Sequence, residues 1–260
     1  MWNAIAKGLG EPADSFALLN IGVFVFCVVA VPFTGLVSTE AWGYLAAAVV
    51  IHQLYELALI RAYRTADFST SYPVARGVAP LLVSLGGYLI ASERLTVLSL
   101  AGIALVTVGV VALAGVRSGL PQRDGIVAAL ATGVAIASYT LVDGLGVRAG
   151  HSATRYAATL FLLQSLSWLI AVSLRRGWKW LPSGRNVGLG ALGGIVSMFA
   201  YSIVLYAQGR TTMGAVSALR ETGVVWAAVI GVVHFHEGRA SKLIPPALAV
   251  AAGVALIGFH

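Results

Sequence analysis

Apolar runs of about twenty residues, divided by short polar links, follow one another along the whole 260-residue chain. The pattern predicts helices at 16–34, 41–61, 70–91, 95–115, 124–145, 154–173, 187–208, 213–233 and 243–260. At a rise of about 1.5 Å per residue, each crosses or nearly crosses a hydrocarbon layer about 30 Å thick. The links are short, as in "SERL", "RSGLPQR", "GRTTM" and "HFHEGRASK", and leave no room for a domain outside the membrane. A helix bundle buried in water would need polar outer faces, which these runs lack. The expected class is an all-α, multi-pass protein of the cell membrane, in contact with membrane lipid.

Composition agrees. Charged residues make up 10% of the chain and hydrophobic ones 58%, with a mean hydropathy of +0.88; soluble domains carry about 25% charged residues. The net charge of +7 does not point to nucleic acid, because the basic residues sit in the links rather than on one face or in a tail. Most of them lie in links on one side, which favours that side as cytoplasmic. Trp178 and Trp180, in the basic link "RRGWKWLPSGR", suit the membrane interface.

Cys27 is the single cysteine and forms no internal disulfide. His234 and His236 in "HFHEG" lack the cysteine or carboxylate neighbours that a metal site needs, so no metal or cofactor is expected. Pro245 and Pro246 fall in a first helical turn, where a missing N–H costs little. The opening stretch "MWNAIAKGLGEPADS" is too short to span and has no signal-peptide pattern.

A shift of 144 residues places Arg76 on Arg220, Gly87 on Gly231, Glu93 on Glu237 and Gly109 on Gly253. The expectation is an internal duplication, with one repeat in 1–115 and the other in 124–260. Five helices per repeat is an odd number, so the copies enter the membrane in opposite senses. Such inverted repeats are the frame of many secondary carriers, with the substrate near the midplane. A ten-helix plan with about nine full helices present follows, and the first helix is expected to be largely missing.

Intramembrane polar residues are the candidate site, since charge there usually faces the bundle interior. His52, Tyr55 and Glu56 in "HQLYELALIR" share one helical stripe, and so do Tyr72 with Arg76 and Tyr139 with Asp143. Arg220 and Glu221 are adjacent and cannot face one another, so Glu221 is expected to find a partner on another helix or at the water edge. Arginine offers a rigid donor fork to a carboxylate or phosphate. Glu56 and Asp143 are candidates for proton exchange, as is His52, because imidazole ordinarily titrates near neutrality. Against these stand structural readings: arginines that snorkel to head groups, and an Asp143 placed near a helix end. Glu93 and Glu237 close their helices and are expected in loop or interhelical ion pairs rather than on substrate.

These residues also carry a family resemblance. The first half has "WNAIAK", "LIRAYRTADFSTSYPVARGVAPLLV" and "SERLTVLSLAGIALVTVGVVAL". The second has "ASYTLVDGLGVRAG", "QGRTTMGAVSALRETGVVWAAVIGVVHFHEG" and a glycine-rich last helix. In order and spacing, over nearly the whole chain, the two halves resemble paired EamA-type domains of the drug/metabolite transporter superfamily. The resemblance implies ten helices in inverted five-helix repeats and movement of small metabolites. The first-helix pattern of the family is met only from Trp2 onward, as the repeat count also requires. The leading expectation is a secondary transporter, not an enzyme, that moves a small polar or amphipathic metabolite by alternating access, with protons as a candidate second cargo. An integral-membrane enzyme acting on lipid head groups is the alternative, with "HFHEGR" as its only cluster; a non-transporting remnant is another.

Overall fold

A computed structural model describes residues 12–64, 68–118, 123–176, 185–223, 225–226 and 240–258. The expectations for Trp2, Trp178, Trp180, Gly231, His234, His236 and Glu237 fall outside these residues. Within them the chain is all helical. The elements are α1 (Pro12–Thr34), a 3-10 turn (Thr39–Ala41), α2 (Trp42–Arg64), α3 (Phe68–Ala91), α4 (Val97–Ser118), α5 (Arg123–Ala149), α6 (Ala153–Arg176), α7 (Arg185–Gln208), α8 (Met213–Arg220) and α9 (Ala240–Gly258).

Four described stretches are long and apolar enough to cross a membrane: Phe16–Thr34, Leu130–Ala149, Ala153–Arg175 and Val187–Gln208. Three shorter ones, Arg76–Ala91, Val97–Leu113 and Leu243–Ile257, are also apolar. Large side chains such as Phe33, Val97, Ile203 and Leu248 lie more than half exposed. Water would not tolerate so continuous an apolar exterior, and lipid does. The chain is a multi-pass, all-α membrane protein.

By its internal contacts the chain divides into two compact units, Met1–Arg64 with Val142–Gly209, and Thr65–Leu141 with Arg210–His260. In the first, α1 packs on α6 and α7, and α2 packs on α6. Leu45, Ala48, Val147, Tyr156, Leu160 and Leu205 form its main apolar core. Arginines close two of its helix ends: Arg155 donates to the Thr34 carbonyl at the end of α1, and Arg148 to the Gln208 carbonyl at the end of α7. The last carbonyls of a helix have no partner within it and attract cations, which explains both placements. Between α5 and α6 the chain turns within a few residues. Gly150 N–H closes on the Gly146 carbonyl, and His151 takes a left-handed φ of 53°.

The second unit is built on the crossing of α4 and α9. A Cβ at Gly253 would come within 2.6 Å of the Gly102 carbonyl oxygen, and one at Gly102 within 2.7 Å of the Gly253 carbonyl oxygen. Only glycine lets two backbones meet so closely. Farther along, Gly109 lies against the Pro246 carbonyl and Val250, while Gly253 also meets Val106. Pro246, Val250 and Gly253 are positions 102, 106 and 109 shifted by 144. Each contact therefore recurs with its partners exchanged. The residue numbers rise on one helix as they fall on the other, so α4 and α9 run antiparallel. Ile103, Val106, Val110, Leu113, Val250 and Ile257 fill the surrounding core.

Candidate functional site

The first cluster lies in the first unit, around Asp143. Its carboxylate is fully buried and is met from three other helices. His52 on α2 reaches Oδ2 through Nε2 at 2.8 Å, Tyr201 on α7 donates to Oδ2 at 2.7 Å, and Tyr156 on α6 donates to Oδ1 at 3.1 Å. Gly146, one turn after Asp143 on α5, has no room for a Cβ because the Tyr156 ring fills that space. The missing side chain is what lets Tyr156 reach back to the carboxylate. The rings of His52 and Tyr201 also meet edge to face at 5.8 Å.

One turn beyond His52 on α2, Glu56 is partly buried. Gln164 donates to its Oε1 at 2.7 Å, and the Trp168 indole N–H donates to its Oε2. Both partners lie on α6, four residues apart and so on one face. Gln53 extends the same contact, donating to the Gln164 carbonyl and to Ser167 Oγ. His52 and Glu56, four residues apart, share one face of α2, and Asp143 on α5 meets the first of them.

The second cluster lies in the second unit. Arg76 on α3 holds Glu221 with both arms of its fork, Nε to Oε2 at 2.9 Å and Nη2 to Oε1 at 3.0 Å. Glu221 is completely buried, and Arg220 Nε lies 3.7 Å from the same Oε1. The Arg220 guanidinium stands 5.9 Å from the centre of the Tyr139 ring. The two arginines related by the shift of 144 residues thus converge on one carboxylate, so Glu221 does find a partner on another helix but its sequence neighbour Arg220 also turns toward it, contrary to the expectation from adjacency. Helix α8 ends at Arg220, and Glu221 N–H turns back to the Ala218 carbonyl; the chain is helical again at 222–223 and 225–226. The single span expected at 213–233 is therefore interrupted at its charged pair, and the remainder of that span is outside the described residues.

Glu93 has a role that its neighbours in sequence do not announce. Both of its carboxylate oxygens accept the Met213 N–H at 3.0 Å, the first N–H of α8. Thr212 at the N-cap position offers no side-chain bond, so the cap comes from a segment 120 residues away. An acid there meets the positive end of the helix dipole. Ser92, at φ 52°, turns the chain after α3 so that Glu93 folds back over Gly87, whose Cβ position the carboxylate occupies.

Of the nine expected site residues, the fold gathers His52, Glu56 and Asp143 in one network and Arg76, Tyr139, Arg220 and Glu221 in the other. Tyr139 and Asp143 do not act as a pair: four residues apart on α5, they serve different clusters. Tyr55 is buried, and the Tyr72 side chain is outside the described set. Sequence reasoning missed Tyr156, Gln164, Trp168 and Tyr201. Gln164, a lone amide within "FLLQSLSWLI", carries the signal that could have found it. Among the described residues no group of three or more His, Cys, Asp or Glu could hold a metal ion.

No family model matches the chain, and no curated protein matches it. Among 28 matching chains of solved structures, one crystal structure is similar with a TM-score of 0.75 at 19% identity. It covers 98% of this chain and 90% of its own. At that identity the likeness is one of fold alone.

Proposed function

We propose that this chain is a secondary transporter of the EamA-like drug/metabolite type, moving a small polar or amphipathic metabolite across the cell membrane by alternating access. On this reading the duplicated halves are inverted five-helix repeats, and the buried polar side chains of each unit serve cargo rather than packing alone. The protein binds its cargo and makes or breaks no covalent bond, so it has no catalytic residue.

One observation carries the reading. Buried charge in these apolar helices is gathered into two networks, and each network is assembled from both sequence halves. Charge in lipid is expensive and is kept where it contacts cargo, ions or water. Supporting the repeat, the α4–α9 crossing exchanges residues 144 apart and sets them antiparallel, as inversion requires.

The test of inversion uses Thr96→Cys and Ala240→Cys, positions 144 apart at the starts of α4 and α9. In sealed vesicles a membrane-impermeant thiol reagent should reach one from outside and the other only after permeabilisation. Labelling of both from the same side would remove the inverted repeat, and alternating access with it.

A further inference from the structure

Resting on that reading, we propose that Arg76 and Arg220 form an anion site that takes a carboxylate of the cargo, with Glu221 as its built-in occupant. The Arg76 fork displays the ligand chemistry directly. It holds the Glu221 carboxylate through Nε at 2.9 Å and Nη2 at 3.0 Å, the two-armed grip that suits a planar carboxylate. Arg220 brings a second guanidinium toward the same acid, 3.7 Å from Oε1. Two cations are thus set toward one fully buried carboxylate.

Two hydroxyls of the same unit point to a ligand independently. Ser217 Oγ and Thr107 Oγ1 are buried and have no hydrogen-bond partner among the described residues; Ser217 is 1% exposed and Thr107 7%. Other hydroxyls in these helices turn back to the carbonyl four residues earlier, as Ser84, Thr140, Ser165 and Ser202 do. Ser217 and Thr107 do not, although a buried hydroxyl left unbonded is costly. Ser217 stands three and four residues before Arg220 and Glu221, on their face of α8. Thr107 stands where α4 crosses α3: a Cβ at Gly77, the residue after Arg76, would meet the Thr107 carbonyl at 3.5 Å. Hydroxyl donors together with guanidinium forks suit an anion, whereas an amine would meet two like charges. Cargo enters by exchange, its carboxylate taking arms of Arg76 while Glu221 stays beside Arg220. The two guanidiniums then face two carboxylates, and no covalent bond changes.

The experiment is thermal unfolding of the full chain in detergent, titrated with sodium butyrate at an ionic strength held constant with sodium chloride. Butylammonium chloride and inorganic phosphate run beside it. Butyrate should raise the unfolding temperature saturably, as a ligand of the folded state does, and butylammonium should not. Ser217→Ala or Thr107→Ala should weaken the apparent butyrate affinity about tenfold, the worth of a hydrogen bond to a charged group. Glu221→Gln keeps the shape but removes the competing charge, so it should tighten butyrate about tenfold or more; a mere helix tie predicts no gain. Four results would overturn the site: no butyrate response in either the parent or Glu221→Gln, equal affinity in those two, parent affinity in both hydroxyl variants, or an equal response to butylammonium. A response to phosphate without one to butyrate would overturn the carboxylate class. Should Glu221→Gln fail to elute as a folded protein, the hydroxyl variants decide, and a silent parent then counts against the site. Binding in detergent needs no transport, so failure of the carrier reading leaves this result standing, and transport without the butyrate response rejects the carboxylate site alone.

Discussion

Glu93 and Met213, 120 residues apart in sequence, meet at 3.0 Å, carboxylate to backbone N–H. The contact supplies α8 with an N-terminal cap from outside its own sequence, and it explains why Gly87 has no side chain. Replacing Glu93 by Ala should cost about 1–2 kcal/mol, the worth of a lost cap, read as a lower unfolding temperature in detergent. Gly87→Ala should destabilise the parent, because its Cβ would strike the Glu93 carboxylate. In a Glu93→Ala background the same change should be neutral or stabilising, since alanine is the better helix former. Additive losses would mean that the two positions are not in contact.

The α4–α9 crossing gives a second, sharper comparison. Gly109→Ala and Gly253→Ala change repeat-related positions that meet repeat-related partners, Val250 and Val106. Each should cost about 1–3 kcal/mol through overpacking, and the two costs should agree within a factor of two. A large loss at one and none at the other would show that the halves are packed differently there.

Much of this fold was legible because length and hydropathy are local properties. The boundaries expected for α1 through α7 lie within a few residues of those observed, apart from Asp143's helix: α5 runs on to Ala149, which moves Asp143 from a helix end into its interior. What could not be read was which stripes face which. Adjacency alone told that Glu221 needs a partner on another helix; only the fold shows that it is Arg76. Periodicity paired Tyr139 with Asp143, yet a long helix serves different neighbours along its length, and the two separate. Glu93 escaped because a cap supplied across 120 residues leaves no mark in the short-range pattern around α8.

Arg76 and Glu221 should behave as a unit. Removing Arg76 alone leaves a fully buried carboxylate beside Arg220 only, and breaking such a pair costs about 3–5 kcal/mol. Arg76→Ala should therefore lower stability far more than Arg76→Ala with Glu221→Gln. Equal losses in the single and double variants would show that Glu221 does not depend on Arg76.

Transport itself separates a working cluster from a structural tie. Arginine at position 76 provides two donors in a fixed fork, which lysine cannot copy although it keeps the charge. If Arg76 must release and regain Glu221 as cargo passes, Arg76→Lys should reduce flux in proteoliposomes at least tenfold while the protein still elutes as a folded species. Asp143→Asn, which keeps the shape but removes the charge that His52, Tyr156 and Tyr201 meet, should also lower flux in the same assay. The screen should include carboxylate, phosphate and zwitterionic metabolites alongside hydrophobic amines, because arginine and aromatic side chains favour different classes. Parent-level flux in Arg76→Lys for every cargo that moves would reduce the Arg76–Glu221 contact to a helix tie.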